Sequence, residues 1–167
     1  MGVQKNYIGG EWVDGAAERN NINPSDLSDV VSTYAQADAA AVTRAVDAAR
    51  AAAPGWNRST PQQRYDALEF VGNEIMARRE ELGRLLSREE GKTLPEGIGE
   101  ATRAAQIFKF FAGEALRIQG EKLQSVRPGI DVEITREPVG IVRYRSPACR
   151  RRLQRHATRA AAAARSP

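Results

Sequence analysis

A single cysteine, Cys149, and a single histidine, His156, stand in a chain of 167 residues. One thiol cannot close an intrachain disulfide, so the fold has no covalent staple and is compatible with a reducing compartment. A Cys/His metal site is excluded as well, because such sites draw on several ligands and these two residues sit apart among arginines. No run of eighteen apolar residues occurs, which removes a membrane-spanning helix. The opening Met1-Gly2-Val3-Gln4-Lys5-Asn6 lacks the basic start and apolar stretch of a secretory signal. These absences lead us to expect a soluble, cytoplasmic protein. The hydrophobic content of 41% is that of a globular chain, and the length suits one ordinary domain.

Acidic residues are missing from one region only. Residues 143–167 hold eight arginines and no acid, which leaves 17 basic against 21 acidic residues in 1–142, a net charge of −4. The overall charge of +4 therefore belongs to the tail and not to the body. Eight arginines would bind phosphate with a strong salt dependence, so a small basic protein that binds nucleic acid through this tail is one functional class to weigh. Against it, the tail offers only Tyr144 for base stacking and follows a body of opposite charge.

Tyr7-Ile8-Gly9-Gly10-Glu11-Trp12 places aromatic and β-branched residues around a glycine pair, the pattern of a tight β-hairpin. Asn23-Pro24-Ser25-Asp26 is a turn that leads into a strand over 29–34. The apolar periodicity then predicts three helices. The first spans 38–53 and is stopped by Pro54-Gly55; the second starts at the Ser59-Thr60-Pro61 cap and ends near Gly91; the third spans 95–119. Ala101, Ala104, Ala105, Phe108, Phe111, Ala112 and Ala115 mark the apolar side of the third helix, whose small residues suit close packing on a neighbour. From Ile130 the period becomes two, so a strand is expected over 130–136, followed by a second apolar segment through Val142 as its companion in a strand pair near 130–142. After Val142 the patterning stops, and 143–167 reads as an unpacked tail.

Five segments in order resemble the beginning of the aldehyde dehydrogenase superfamily. They are Tyr7-Ile8-Gly9-Gly10-Glu11-Trp12-Val13, Asn23-Pro24, Ala48-Ala49-Arg50 leading to Trp56, Glu89-Glu90-Gly91-Lys92-Thr93, and Arg136-Glu137-Pro138-Val139-Gly140-Ile141-Val142. Within that family, Leu94-Pro95-Glu96-Gly97-Ile98-Gly99-Glu100 and Gln106-Ile107-Phe108-Lys109-Phe110-Phe111-Ala112-Gly113-Glu114 look most like the α-ketoglutaric semialdehyde (2,5-dioxovalerate) dehydrogenases. The resemblance implies an α/β fold with a Rossmann-like cofactor domain, of which 1–142 is the N-terminal portion. It also implies that 130–138 belongs to an oligomerisation arm, so that the intact family protein is a homo-oligomer.

The chemistry so implied is oxidation of a small aldehyde to an acid. A cysteine thiolate attacks, hydride passes to NAD or NADP, and water activated by a glutamate releases the acid. In the family, those groups lie beyond a Pro-Trp-Asn-Phe-Pro segment that is not found here; Arg143-Tyr144-Arg145-Ser146-Pro147 stands where it would begin. We therefore expect no catalytic, cofactor-binding or metal-binding residue in this chain. The abrupt change matches a shifted reading frame near the codon for Arg143. Resequencing that finds no single-base change restoring the family segment would refute that explanation.

Several residues invite a sharper reading. Arginines around Cys149 would depress a thiol pKa, but no base or oxyanion hole accompanies it, so it reads as an incidental thiol and His156 likewise. Glu89, Glu90, Glu96 and Glu100 read as helix-surface charge beside Lys92, because an acid/base pair needs a pocket that separates the two pKa values. Gly9-Gly10 and Gly97-Ile98-Gly99 lack the strand-to-helix setting of a phosphate loop. A folded fragment that associates with an intact dehydrogenase is a further reading, weakened by the missing cofactor sheet against which its helices would pack.

Overall fold

The computed structural model describes residues 2–143. Cys149, His156 and all of the arginine-rich tail beyond Arg143 lie outside the described residues. The chain opens with a hairpin of β1 (Asn6–Ile8) and β2 (Glu11–Val13), paired in antiparallel register from Asn6 opposite Val13 to Ile8 opposite Glu11. Gly9 and Gly10 make its turn with φ of 63° and 92°, the left-handed values that a two-residue loop needs to follow the twist of its strands. Tyr7 and Trp12 face each other across it with ring centroids 5.0 Å apart, and both are exposed.

A second antiparallel pair joins β3 (Ala17–Ile22) to β4 (Val30–Gln36), with a register shift between Asn21 and Ile22. Gln4 adds to its far side, donating its N–H to Thr33 O and accepting from Ala35 N. Val31 and Ala35 are the buried apolar residues of β4. The strand expected over 29–34 is thus present, but its partner β3 was not anticipated. Glu18-Arg19-Asn20-Asn21 is poor in strand formers and takes its conformation from the β4 ladder.

Four helices follow: α1 (Ala39–Asn57), α2 (Pro61–Ala77), α3 (Arg79–Glu90) and α4 (Leu94–Ala115). Asp38 caps α1 by accepting from Ala41 N at 2.7 Å. The helix passes through Pro54 to Asn57, so the expected stop at Pro54-Gly55 moves to the C-cap Arg58. Trp56, in the last turn, is exposed. The helix expected from Pro61 to Gly91 is divided at Arg78, whose φ of −102° and ψ of 16° leave the helical region. The bend lets both α2 and α3 lie against α4. Neither glycine nor proline marks it.

The start of α2 is a reciprocal cap: Thr60 Oγ1 accepts from Gln63 N at 3.2 Å, and Gln63 Oε1 accepts from Thr60 N at 2.9 Å. Thr60→Ala is expected to lower unfolding free energy by about 1 kcal/mol, read from the denaturant midpoint at constant slope.

Where α4 meets α2 and α3 the core is made of small residues. Ala101, Ala105, Ala112 and Ala115 are buried on α4, which approaches the buried Gly72 of α2 at Ala105 and Lys109 and the buried Gly83 of α3 at Gly97 and Ile98. No large side chain is fully buried among the described residues. After α4, β5 (Glu121–Gln124) pairs with β6 (Asp131–Ile134), all eight residues being exposed. The partner of β6 is therefore β5 and not the apolar segment 139–142. That segment forms no strand, and Val139 and Val142 are exposed by 94% and 72%. A buried strand needs a sheet to enter, and the two-stranded pairs described here offer none.

Candidate functional site

The four glutamates singled out in the sequence lie around the C-terminal end of α3 and the start of α4, and each is held by a structural partner. Glu89 accepts from Asn21 Nδ2 at 2.5 Å. Glu90 and Glu100 converge on Lys92 Nζ at 2.7 and 2.5 Å. Glu96 accepts from both the backbone N–H and the hydroxyl of Thr93, at 3.0 and 2.8 Å, and so closes the first turn of α4. The same Thr93 contacts hold its carboxyl below the usual range. Lys92 is shifted upward by its hydrogen bond to Glu100, then by Glu90, which fixes it as a cation.

A few residues away, Arg88 grips Asp29 with both edges of its guanidinium. Nη2 donates to Oδ1 at 2.5 Å and Nε to Oδ2 at 3.0 Å, while Asn23 Nδ2 adds a third donor at 3.1 Å. Arg88, then Asn23, lowers the Asp29 carboxyl to about 2. Ser25 donates its hydroxyl to Gly91 O at 3.3 Å. Gly91 itself ends α3 with a φ of 71°, a left-handed C-cap. Together these contacts clasp the β3–β4 loop to the α3–α4 corner.

The direction of the shifts decides what the cluster can do. Every carboxyl with a resolved shift among the described residues, namely Asp26, Asp29, Glu81 and Glu96, is lowered and stays ionised. A general acid needs the opposite, a carboxyl raised by an apolar setting. No group of three or more His, Cys, Asp or Glu among the described residues is arranged to hold a metal. The contacts of the cluster are those of a fastening between β3, the β3–β4 loop and the α3–α4 corner.

The glycines do not form a dinucleotide cradle. Gly9-Gly10 turns a hairpin, and Gly97 and Gly99 lie inside α4. A Cβ on Gly97 would sit 2.3 Å from Gly83 O, so this glycine serves the approach of two helices. The three two-stranded sheets are all antiparallel, whereas a nucleotide fold presents phosphate at a parallel strand-to-helix turn. No parallel strand pair with such a turn occurs among the described residues.

The described residues also form open depressions, two of which stand out. One, of about 420 Å³, lies between the end of α4 and the β5–β6 hairpin and includes Lys122, Glu133 and Arg136. The other, of about 370 Å³, runs along the outer side of α4 and is lined by Arg103, Gln106, Ile107, Phe110 and Phe111. The sequence grouped Phe111 with the alanine side of α4; the structure places it instead on this second surface, 54% exposed beside Ile107 and Phe110.

Comparison with known proteins places this arrangement in a family. The aldehyde dehydrogenase family profile matches residues 12–147. An α-ketoglutarate semialdehyde dehydrogenase of Haloferax volcanii is 35% identical over 145 residues, covering 86% of this chain and 30% of that protein. The α-ketoglutaric semialdehyde dehydrogenase of Bacillus subtilis is 35% identical over 144 residues, covering 85% and 30%. Among solved structures, betaine aldehyde dehydrogenase of Staphylococcus aureus, crystallised with NAD+, superimposes with a TM-score of 0.76 at 34% identity, covering 81% of this chain and 28% of that one. The chain thus spans under a third of the length of these relatives. With the profile covering most of its length and the hairpin, helices and small-residue packing in place, this chain belongs to the aldehyde dehydrogenase family.

Proposed function

We propose that the chain is the N-terminal scaffold of an NAD(P)-dependent dehydrogenase that oxidises a semialdehyde to the acid. The observation that carries this is the 35% identity over 86% of the chain to an α-ketoglutarate semialdehyde dehydrogenase. Further relatives are named for glutarate, malonate and succinate semialdehydes, so the substrate class in this reading is an aldehyde carrying a distal carboxylate. The net reaction consumes aldehyde, NAD(P)+ and water and yields carboxylic acid, NAD(P)H and a proton. The thiol, glutamate and cofactor-binding groups for it belong to parts of the family fold outside residues 2–143. A cytoplasmic location is part of the same reading; no helix among the described residues is long and apolar enough to cross a membrane.

The β5–β6 hairpin is the second element of this proposal. Its eight exposed residues and free edges suit pairing with another subunit, and 130–138 is assigned to an oligomerisation arm.

The scaffold reading has a direct assay. Purified full chain, given α-ketoglutarate semialdehyde and either NAD+ or NADP+, is expected to produce no NAD(P)H above an enzyme-free blank at 340 nm (the usual reduced-nicotinamide band). Saturable turnover by the chain alone would overturn it.

A further inference from the structure

The elements of this chain are joined by contacts of two kinds. Helix α4 meets α2 and α3 at buried glycines, where a Cβ on Gly83 would stand 2.6 Å from the Ile98 backbone and one on Gly72 would stand 2.9 Å from Lys109 Cγ. Close approach of this kind is lost only when whole helices part. The β3–β4 pair reaches the helices chiefly where β4 passes α3. There the fastening is polar. Asn21, only 4% exposed, donates to Glu89 Oε1, Arg88 holds both carboxylate oxygens of Asp29, and Ser25 donates to Gly91 O. The loop lies directly on the corner, since a Cβ on Gly91 would stand 2.7 Å from Ser25 Oγ and 2.8 Å from Pro24 Cγ.

Polar links between partly exposed groups are individually weak, because water competes for them and dissolved ions screen the charged pair. A two-stranded pair without its support is marginal, so β3 and β4 would not keep their ladder once those links break. The helices carry no such dependence on ions where they meet. The seam between sheet and helices is therefore the weaker one, and it is the Asp29–Arg88 pair that gives it a charge.

We infer that these bonds form an ion-locked latch: the β3–β4 pair lifts from the α3–α4 corner and loses its ladder while α2, α3 and α4 stay folded, and the Asp29–Arg88 pair sets how often it does so. The latch stands independently of the dehydrogenase reading. Native-state hydrogen exchange of the full chain, followed amide by amide by NMR at neutral pH in dilute buffer, tests it. The ladder amides of β3 and β4 are expected to exchange at least about tenfold faster, relative to their unstructured rates, than the amides of 101–115 in α4. Arg88→Gln accelerates the ladder by about three- to tenfold and leaves α4 within about twofold of the parent. Asp29→Asn, changed on the other side of the pair, reproduces that pattern. Added sodium chloride speeds the ladder in the parent and has less effect in Arg88→Gln, where the charge pair is already gone. Equal protection of the ladder and α4 in the parent overturns the latch, because the two would then open together. Variants that speed both segments alike, or that speed neither, overturn it too, as does a parent ladder indifferent to salt.

Discussion

Replacing Gly83 with alanine is expected to lower the unfolding free energy by about 1–3 kcal/mol, even though alanine is the better helix former. A Cβ at this position would stand 2.6 Å from both Cα and N of Ile98. Those atoms are backbone of α4 and can yield only if the two helices separate. Separation would also disturb the close approach of Gly97 to Gly83, so the strain cannot be confined to one residue. Gly99 is the matched control. It lies in the same helix two residues from Gly97, and a Cβ there meets nothing within 4 Å. Gly99→Ala is expected to raise stability by up to about 1 kcal/mol through helix propensity alone. Denaturant titrations of the pair would therefore move in opposite directions. A stabilised Gly83→Ala would show that α3 and α4 do not approach as described.

The Asp29–Arg88 grip is expected to make the chain sensitive to acid. Asp29 titrates at about 2 in the folded chain, against an ordinary value of 3.8, because Arg88 and Asn23 donate to its ionised form. A carboxyl lowered by folding contributes stability that is complete above its unfolded pKa and is lost as pH falls through the folded one. The loss therefore runs from just above pH 3.8 down to about pH 2. Asp29→Asn removes it: at neutral pH the variant melts at a lower temperature than the parent, and the gap closes as pH approaches 2. Side-chain exposures of 26% for Asp29 and 37% for Arg88 leave the pair open to screening, so added salt narrows the gap at neutral pH. Arg88→Lys is expected to fall between parent and Asp29→Asn, since a single ammonium cannot span both carboxylate oxygens. A parent-to-variant gap that is constant between pH 7 and pH 2 would remove Asp29 as its cause.

Local chemistry carried much of this fold into the sequence. Gly9-Gly10 declared its hairpin because the turn needs two left-handed residues, and Thr60-Pro61 declared the start of α2 because cap and proline act within one turn. The alanines of α4 announced close packing. What stayed hidden depends on partners distant in the chain. β3 is a polar strand that β4 imposes, and β5, with Glu121-Lys122-Leu123-Gln124, is a strand only because β6 runs beside it. The bend at Arg78 has no breaker residue and follows from two helices sharing one surface. Pro54 erred in the other direction. It falls in the last turn of α1, with only three residues, Gly55, Trp56 and Asn57, after it in the helix, so it does not end the helix where its chemistry suggested.

The candidate site divides the same way. Glu89, Glu90, Glu96 and Glu100 were readable as charged helix surface, and the structure adds the partner of each: Asn21, Lys92, Thr93 and Lys92 again. The link from Glu89 to Asn21 crosses 68 residues and has no sequence signature. The outer face of α4 was legible in principle. Ile107, Phe110 and Phe111 stand at helical spacing, but the sequence grouped Phe111 with the core-facing alanines, and only its exposure in the structure separates it from them.

The chain has two tryptophans, Trp12 in β2 and Trp56 at the end of α1, exposed by 67% and 55%. Their indoles meet water in the folded state much as they would in the denatured one. Tryptophan emission is thus a nearly silent reporter of whether this scaffold is folded, and a flat fluorescence trace would be mistaken for a missing transition. The backbone amides of α2, α3 and α4 absorb in the far ultraviolet whatever surrounds the side chains, and their dichroism is the signal in which the stability differences above will be visible.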